Sequence, residues 1–261
     1  MPTIKDIRKY MGKWKQQTYR DGLEYCYLIK KDKQAYNLTV DVLKLQRLEN
    51  KSMDGNSVQC IPIKEEGRVD IIFTDIFWNL AGDYITPVYY VASIVKKCLE
   101  RRIEEPKQVA GIVGRGLRSL PSFLREMDLA YKLSLLFSDA EILNGPEQDV
   151  GEHTDILIMA GDHEYRLWSY QNTDRGLKNT AERFYGHRGE IPEGYHVLCP
   201  INISNKAEVE EINGWRFYSG RYVSDIYEMI SVQKPDKYDS IARLQAYAMR
   251  LYLEKPNIVQ K

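Results

Sequence analysis

Several residue types and patterns that would narrow the protein class are scarce in this sequence. Its 261 residues include 4 Cys, 4 His and 6 Phe, and the formal net charge is +0. This balance excludes an overall positive field for nucleic acid, although a local basic groove remains compatible with it. No window approaches the ~18 apolar residues of a membrane span, and the first residues lack the apolar segment of a signal peptide. We therefore expect a soluble, cytoplasmic protein without a membrane partner.

Several catalytic and metal-binding motifs are also missing. The four cysteines, Cys26, Cys60, Cys98 and Cys199, form no CxxC pair, which excludes a zinc ribbon and a thioredoxin-type motif. We expect free thiols in a reducing compartment. GxSxG and the Walker A pattern are absent. His196 and Cys199 would face opposite sides of one strand, so a Cys–His dyad is not expected either.

The composition is that of a globular protein. Hydrophobic residues make up 43% and charged residues 28% of the chain, and the length suits one large domain or two small ones. We expect an α/β protein with two regions. Residues 1–83 would form an N-terminal helix and β-rich region, and residues 84–261 would form an α/β core.

Periodicity predicts the elements of the first region. Residues 4–19 have the apolar spacing of an amphipathic helix. Residues 23–63 include stretches such as "AYNLTVDVLKL", which alternate apolar and polar side chains, and residues 68–78 continue this character. The first region is therefore expected to contain a small sheet.

The second region is predicted to mix helices and strands. The expected helices cover 86–102, 119–137, 174–185, 222–232 and 238–253, and the expected strands cover 154–160, 164–171, 195–203 and 215–219. Gly161-Asp162 would form the turn between the first two strands. The glycine-containing stretch 104–116 is expected to be a loop.

The helix 119–137 places an acid among apolar residues. At about 100° per residue, Glu126 falls on the same arc as Leu133. A carboxylate there is costly unless it is paired or bound to a metal. Glu126 is therefore either a satisfied buried acid, bonded to Arg or Tyr, or an acid directed into a site. The opposite side of the helix carries three charged residues, Arg125, Asp128 and Lys132.

The predicted hairpin 154–171 carries further polar side chains that a hairpin does not need. Asp155 opens a strand although Asp is disfavoured there, so it is either a site residue or a cap. The returning strand offers two candidate pairs with the spacing that puts both side chains on one face. They are Glu164-x-Arg166 and Ser169-x-Gln171.

A helix Glu, an Asp that opens a strand, a polar pair on the next strand, and then a helix and a strand resemble the PD-(D/E)xK nuclease superfamily over roughly residues 115–220. The resemblance implies a restriction-endonuclease-like mixed sheet flanked by helices. It implies Glu126, Asp155 and Glu164 as ligands of Mg²⁺, with Mn²⁺ as the alternative ion, and Arg166 or Gln171 near the attacking water.

The third motif departs from the acid-x-Lys pattern of the superfamily. Glu164-x-Arg166 keeps an acid and a cation but lies close to the turn. Ser169-x-Gln171 is better centred in the strand and has lost both charges. The choice between the two pairs separates an active nuclease from a degenerate one.

The function implied by the resemblance is a metal-dependent endonuclease, with a role in restriction or phage defence. The nucleic acid is expected to be DNA rather than RNA, and whether the protein forms a homodimer is left undecided. Two alternatives remain: a catalytically degenerate nuclease-fold module that binds nucleic acid or a partner protein, and a structural or assembly protein. Six cations are expected to contact phosphates, although a solvated helix of mixed charge would also explain them: Arg115, Arg118, Arg175, Lys178, Arg183 and Arg188.

Overall fold

A computed structural model of the protein describes residues 33–45, 73–80, 87–145, 147–148, 154–185, 194–212 and 215–231. The predicted helices 4–19 and 238–253 lie outside the described residues. The chain divides into two compact units, one of residues 1–125 with 211–216 and one of residues 126–210 with 217–261. No described helix has both the length and the apolar character required to cross a membrane.

The described elements mix helices and strands. The helices are α1 (Lys33–Leu45), α2 (Phe73–Leu80), α3 (Pro87–Glu100), α4 (Pro106–Leu136), α5 (Asp174–Tyr185) and α6 (Gly220–Ser231). The strands are β1 (Glu141–Leu143), β2 (Ile156–Ala160), β3 (His163–Gln171), β4 (Tyr195–Ile201), β5 (Val209–Ile212) and β6 (Trp215–Tyr218).

The first unit is helical where the sequence predicted strands. The strand predictions are wrong for residues 33–45, which form α1, and for residues 73–78, which lie in α2. The remainder of the predicted β-rich stretches lies outside the described residues. Five positions of α1 have the spacing i, i+3, i+4, i+7, i+8 of one helix face, and all are buried: Ala35, Leu38, Thr39, Val42 and Leu43. The short alternating pattern fits both periods, and burial of this face favoured the helix.

The loop predicted over 104–116 is also wrong from Pro106 onward, because α4 begins there and continues through Pro121 to Leu136. Proline is well suited to a first helical position. A Cβ on Gly116 would lie 2.5 Å from the Ile94 Cδ1 atom, so this glycine permits close helix packing rather than a turn. The helices predicted at 86–102 and 119–137 are confirmed, the second as part of a longer helix.

Packing in the first unit joins α1 and α2 to α3. The ring of Phe77 is fully buried and packs on Phe123, with 5.1 Å between the ring centroids. The Tyr90 hydroxyl donates to the Phe73 carbonyl at 3.3 Å. Aromatic side chains thus connect these helices.

The second unit contains a mixed four-stranded sheet of order β1-β2-β3-β4. β1 pairs antiparallel with β2, β2 pairs antiparallel with β3, and β3 pairs parallel with β4. The predicted hairpin is confirmed, and Gly161 has a φ of 60° in its turn. The parallel pair needs a crossover connection, which includes α5. An α/β fold with a mixed sheet and helices is therefore confirmed.

Helices α4 and α6 pack against one face of this sheet. The shared core comprises Leu129, Ala130 and Leu133 of α4, Ile156, Ile158, Tyr165, Leu167, Val197, Cys199 and Ile201 of the sheet, Tyr218, and Val223, Ile226 and Ile230 of α6. Pro200 is tolerated in β4 because this strand lies at the edge of the sheet. Trp168 is buried. The short strands β1 and β5 were not predicted.

Candidate functional site

Asp155 lies directly before β2 and is 2% exposed. Its backbone N–H donates to the Leu167 carbonyl at 3.2 Å, and the Asn144 side-chain amide donates to its carbonyl at 2.6 Å. Its carboxylate Oδ2 accepts the backbone N–H of Ser169 at 2.6 Å. The side chain of Asp155 therefore serves as a hydrogen-bond acceptor for the backbone of β3, at the point where the regular pairing of β2 with β3 ends.

The register of the hairpin determines which polar pair adjoins Asp155. Ile156 pairs with Leu167, whereas Glu164 pairs with Met159 at the other end of the hairpin. Glu164 and Ser169 are five residues apart, or about 16 Å along an extended strand. Asp155 is thus brought together with Ser169-x-Gln171 and not with Glu164-x-Arg166.

Glu164 and Arg166 form their own ion pair near the turn. The Arg166 Nη2 atom lies 3.0 Å from the Glu164 Oε2 atom, and the two side chains are 11% and 40% exposed, respectively. Trp168, two residues further along β3, donates from its indole N–H to the Nδ1 atom of His196 at 3.1 Å. These groups lie on the face opposite Leu167 and Ser169, because side chains alternate along the strand.

Glu126, the third predicted metal ligand, is half-buried on α4. It lies one helical turn before Ala130, a residue of the same helix that packs in the core against the sheet. Across the described residues, which include all three predicted ligands, no three His, Cys, Asp or Glu side chains are placed to hold one metal ion. Glu126, Asp155 and Glu164 as ligands of Mg²⁺ stay a prediction of the resemblance.

Tyr218 and Cys199 lie beside Ser169, and no sequence pattern indicated either of them as a site residue. The Ser169 Oγ atom is 2.6 Å from the Tyr218 hydroxyl, which donates to the Cys199 carbonyl at 3.1 Å. Because a tyrosine hydroxyl has a single proton, Ser169 is the donor in its bond to Tyr218. Burial raises the pKa of the Cys199 thiol, and the nearby negative charge of Asp155 raises it further. No spacing in the sequence links Tyr218 to Ser169.

We use the name β3–α5 corner for Gln171, Asn172, Arg175 and Lys178, where β3 ends and α5 begins. The first three of these residues are exposed and Lys178 is half-buried. The Asn172 N–H donates to the Ile201 carbonyl at 2.8 Å, which ties the corner to the end of β4. The corner thus carries two side-chain amides and two cations, and its backbone is held to β4 by the hydrogen bond from Asn172.

A glycine makes the turn at this corner compact. The Gly176 N–H donates to the Thr173 hydroxyl at 3.0 Å, as in a capped helix start. A Cβ on Gly176 would lie 2.1 Å from the Gln171 carbonyl oxygen. The absence of a side chain at this position therefore allows α5 to start against the end of β3.

Four further cations were predicted to contact phosphates, and the structure describes the side chains of two of them. Arg115 and Arg118 are exposed on the part of α4 that belongs to the first unit. The Arg115 guanidinium lies 5.8 Å from the centroid of the Phe73 ring. The side chain of Arg183 and residue Arg188 lie outside the described part of the chain.

Comparisons with known proteins do not assign this chain to a family. No protein-family model, curated protein or solved structure matches it.

Proposed function

We propose that the second unit is a restriction-endonuclease-like module that is catalytically degenerate and binds DNA at the β3–α5 corner. The single observation behind this proposal is the hydrogen bond between the Asp155 carboxylate and the Ser169 N–H. It brings Asp155 to Ser169, the first residue of the candidate third motif that lacks both the acid and the lysine. Neither a serine hydroxyl nor an amide supplies the second negative charge that Mg²⁺ favours.

The order of elements supports the restriction-endonuclease-like part of the proposal. Helix α4, strands β2 and β3, helix α5 and strand β4 follow one another in the order of the resemblance. Asp155 directly precedes β2, where the resemblance places the strand acid. The additional strand β1 pairs with β2 and leaves this order otherwise unchanged.

The chemistry of the β3–α5 corner supports the DNA-binding part. Arg175 and Lys178 are three residues apart on one helix, so they lie close together on its surface, and both can contact phosphates. Exposed amides such as Gln171 and Asn172 can donate to phosphates or bond to base edges. Asp174, in the first turn of α5, adds an opposing charge beside the corner.

The proposal is tested by measuring binding of labelled duplex DNA, single-stranded DNA and RNA by fluorescence anisotropy over a range of salt concentrations. We expect duplex binding without cleavage in Mg²⁺ or Mn²⁺. The double variant Arg175→Ala/Lys178→Ala should bind more weakly and lower the slope of log K against log salt by about 2, one unit for each lost phosphate contact.

A matched control removes one arginine and one lysine elsewhere in the second unit. Arg221 and Lys206 are exposed, and the variant Arg221→Ala/Lys206→Ala should bind DNA as the unmodified protein does. Metal-dependent cleavage that both Glu126→Ala and Asp155→Ala abolish would overturn the degenerate part of the proposal and favour the nuclease. Absence of binding to any nucleic acid would overturn the DNA-binding part and favour a protein partner.

A further inference from the structure

Helix α5 exposes a side-chain amide at the centre of its outer face. α5 packs against β3 and buries Thr180 and Ala181, whereas Asn179 is exposed. At about 100° per residue, Asn179 lies about 160° around the helix from both Leu177 and Ala181. No hydrogen bond joins the Asn179 side chain to another of the described residues. The amide therefore points away from the sheet and is not used by the described fold.

Asparagine is a poor choice for this position if stability alone is considered. In the interior of a helix its side chain competes with the helix for nearby backbone groups, so Ala, Glu or Lys is favoured at an exposed position. Asn179 nevertheless lies in the interior of α5, which runs from Asp174 to Tyr185. Its amide offers one group that donates and one that accepts, and both are available to a partner outside the chain.

Two cations of the β3–α5 corner adjoin this amide. Arg175 is exposed and precedes Asn179 by four residues, so the two side chains are neighbours on the helix surface. Lys178 is half-buried and lies toward the flank of the same face. The start of α5 is fixed by the hydrogen bond from the Gly176 N–H to the Thr173 hydroxyl at 3.0 Å. The outer face of α5 is thus held in one orientation at the end of β3.

We infer that the outer face of α5 enters the major groove of duplex DNA and that Asn179 recognises an adenine there. This inference rests on the proposed function, in which Arg175 and Lys178 contact phosphates beside the groove. The major groove is about 12 Å wide and admits an α-helix. An asparagine amide can donate to the adenine N7 atom and accept from the adenine N6 amino group. Guanine presents two acceptors at the same edge, so the Asn179 carbonyl oxygen would face another oxygen.

The test uses labelled duplexes of one sequence in which the adenines are replaced by 7-deazaadenine or by 2,6-diaminopurine. The first base lacks the N7 acceptor of the major groove, whereas the second adds an amino group in the minor groove. In fluorescence anisotropy, the full chain should lose roughly fivefold or more in affinity for the 7-deazaadenine duplex, because one bidentate contact is broken. Its affinity for the diaminopurine duplex should change little.

Three variants assign the effect to one side chain. Asn179→Ala should bind the adenine and 7-deazaadenine duplexes equally, with an unchanged slope of log K against log salt, because no phosphate contact is lost. Its Tm should not fall, since alanine is the better helix former. Asn179→Gln keeps the amide and should retain part of the discrimination. The matched control is Asn37→Ala, which removes an exposed asparagine from α1 and should leave the discrimination intact.

Two results would overturn this inference alone. One is DNA binding by the unmodified protein with equal affinity for the adenine and 7-deazaadenine duplexes. The other is full discrimination in Asn179→Ala. A loss of affinity for the diaminopurine duplex only would assign the contact to the minor groove and also reject it. Absence of binding to any duplex is a different outcome, because it overturns the proposed function and this inference together.

Discussion

The Asp155 carboxylate accepts the Ser169 backbone N–H at 2.6 Å, although the two residues are fourteen positions apart. This contact makes the acid part of the hydrogen bonding of β3. It also locates the acid at the end of the hairpin that lacks Glu164, which pairs with Arg166 near the turn. Strand register therefore decides which of the two polar pairs lies beside Asp155.

Replacement of Asp155 should affect stability according to whether an acceptor is retained. Asp155→Ala leaves the half-buried Ser169 N–H without this partner and should lower the free energy of unfolding by about 1–3 kcal/mol. Asp155→Asn keeps a side-chain carbonyl oxygen and should lower it less. Urea denaturation of both variants measures the difference, and equal losses would show that the acceptor is not what matters at this position.

The hydroxyls of Tyr218 and Ser169 should be energetically coupled. Each loses its 2.6 Å contact when the other is removed, so Tyr218→Phe and Ser169→Ala should not be additive. A double-mutant cycle in urea should give a coupling free energy of about 0.5–1.5 kcal/mol. A coupling free energy of zero would mean that the contact contributes nothing to stability.

Gly176 should not tolerate a side chain. Alanine normally favours a helix over glycine by about 1 kcal/mol, but its Cβ would lie 2.1 Å from the Gln171 carbonyl oxygen. We expect Gly176→Ala to lower the free energy of unfolding by about 1–3 kcal/mol and to weaken the proposed DNA binding, because α5 carries Arg175. Gly220→Ala is the control, since a Cβ there meets no atom within 4 Å, and it should leave both quantities nearly unchanged.

Alkaline pH should destabilise the protein partly through Cys199. Burial raises the pKa of this thiol above its ordinary value of 9.0, so the unfolded chain releases the proton first. The stability contribution is full below pH 9.0 and is lost as pH rises toward the folded pKa, by up to about 1.4 kcal/mol per pH unit. Urea unfolding at several alkaline pH values should show a shallower decline for Cys199→Ser. An identical decline would contradict this assignment.

Much of the second unit was predictable because its signals are local. Alternation over 164–171 predicted β3, and Gly161 predicted the turn through its preference for a positive φ. The cap at Thr173 and the helical spacing after it define α5. The same local signals misled in the first unit, where the segment 33–45 fits both a strand and a helix.

Contacts between distant residues could not be predicted in this way. Lys132 lies 78 positions from Glu210, and Ser169 lies 49 positions from Tyr218. Side-chain periodicity records which face a residue occupies on its own element, but not which residue of another element it meets.

The amino-acid sequence by itself determined the hairpin and the helix that follows it, because turn chemistry and side-chain periodicity act over a few residues. It also singled out Asp155 as a candidate site residue, because an acid is unusual where a strand begins. Only the tertiary structure decided that Asp155 meets Ser169 rather than Glu164, that Lys132 is buried beside Glu210, and that residues 33–45 form a helix. Burial and strand register set these outcomes, and both depend on packing between elements that are far apart in the chain.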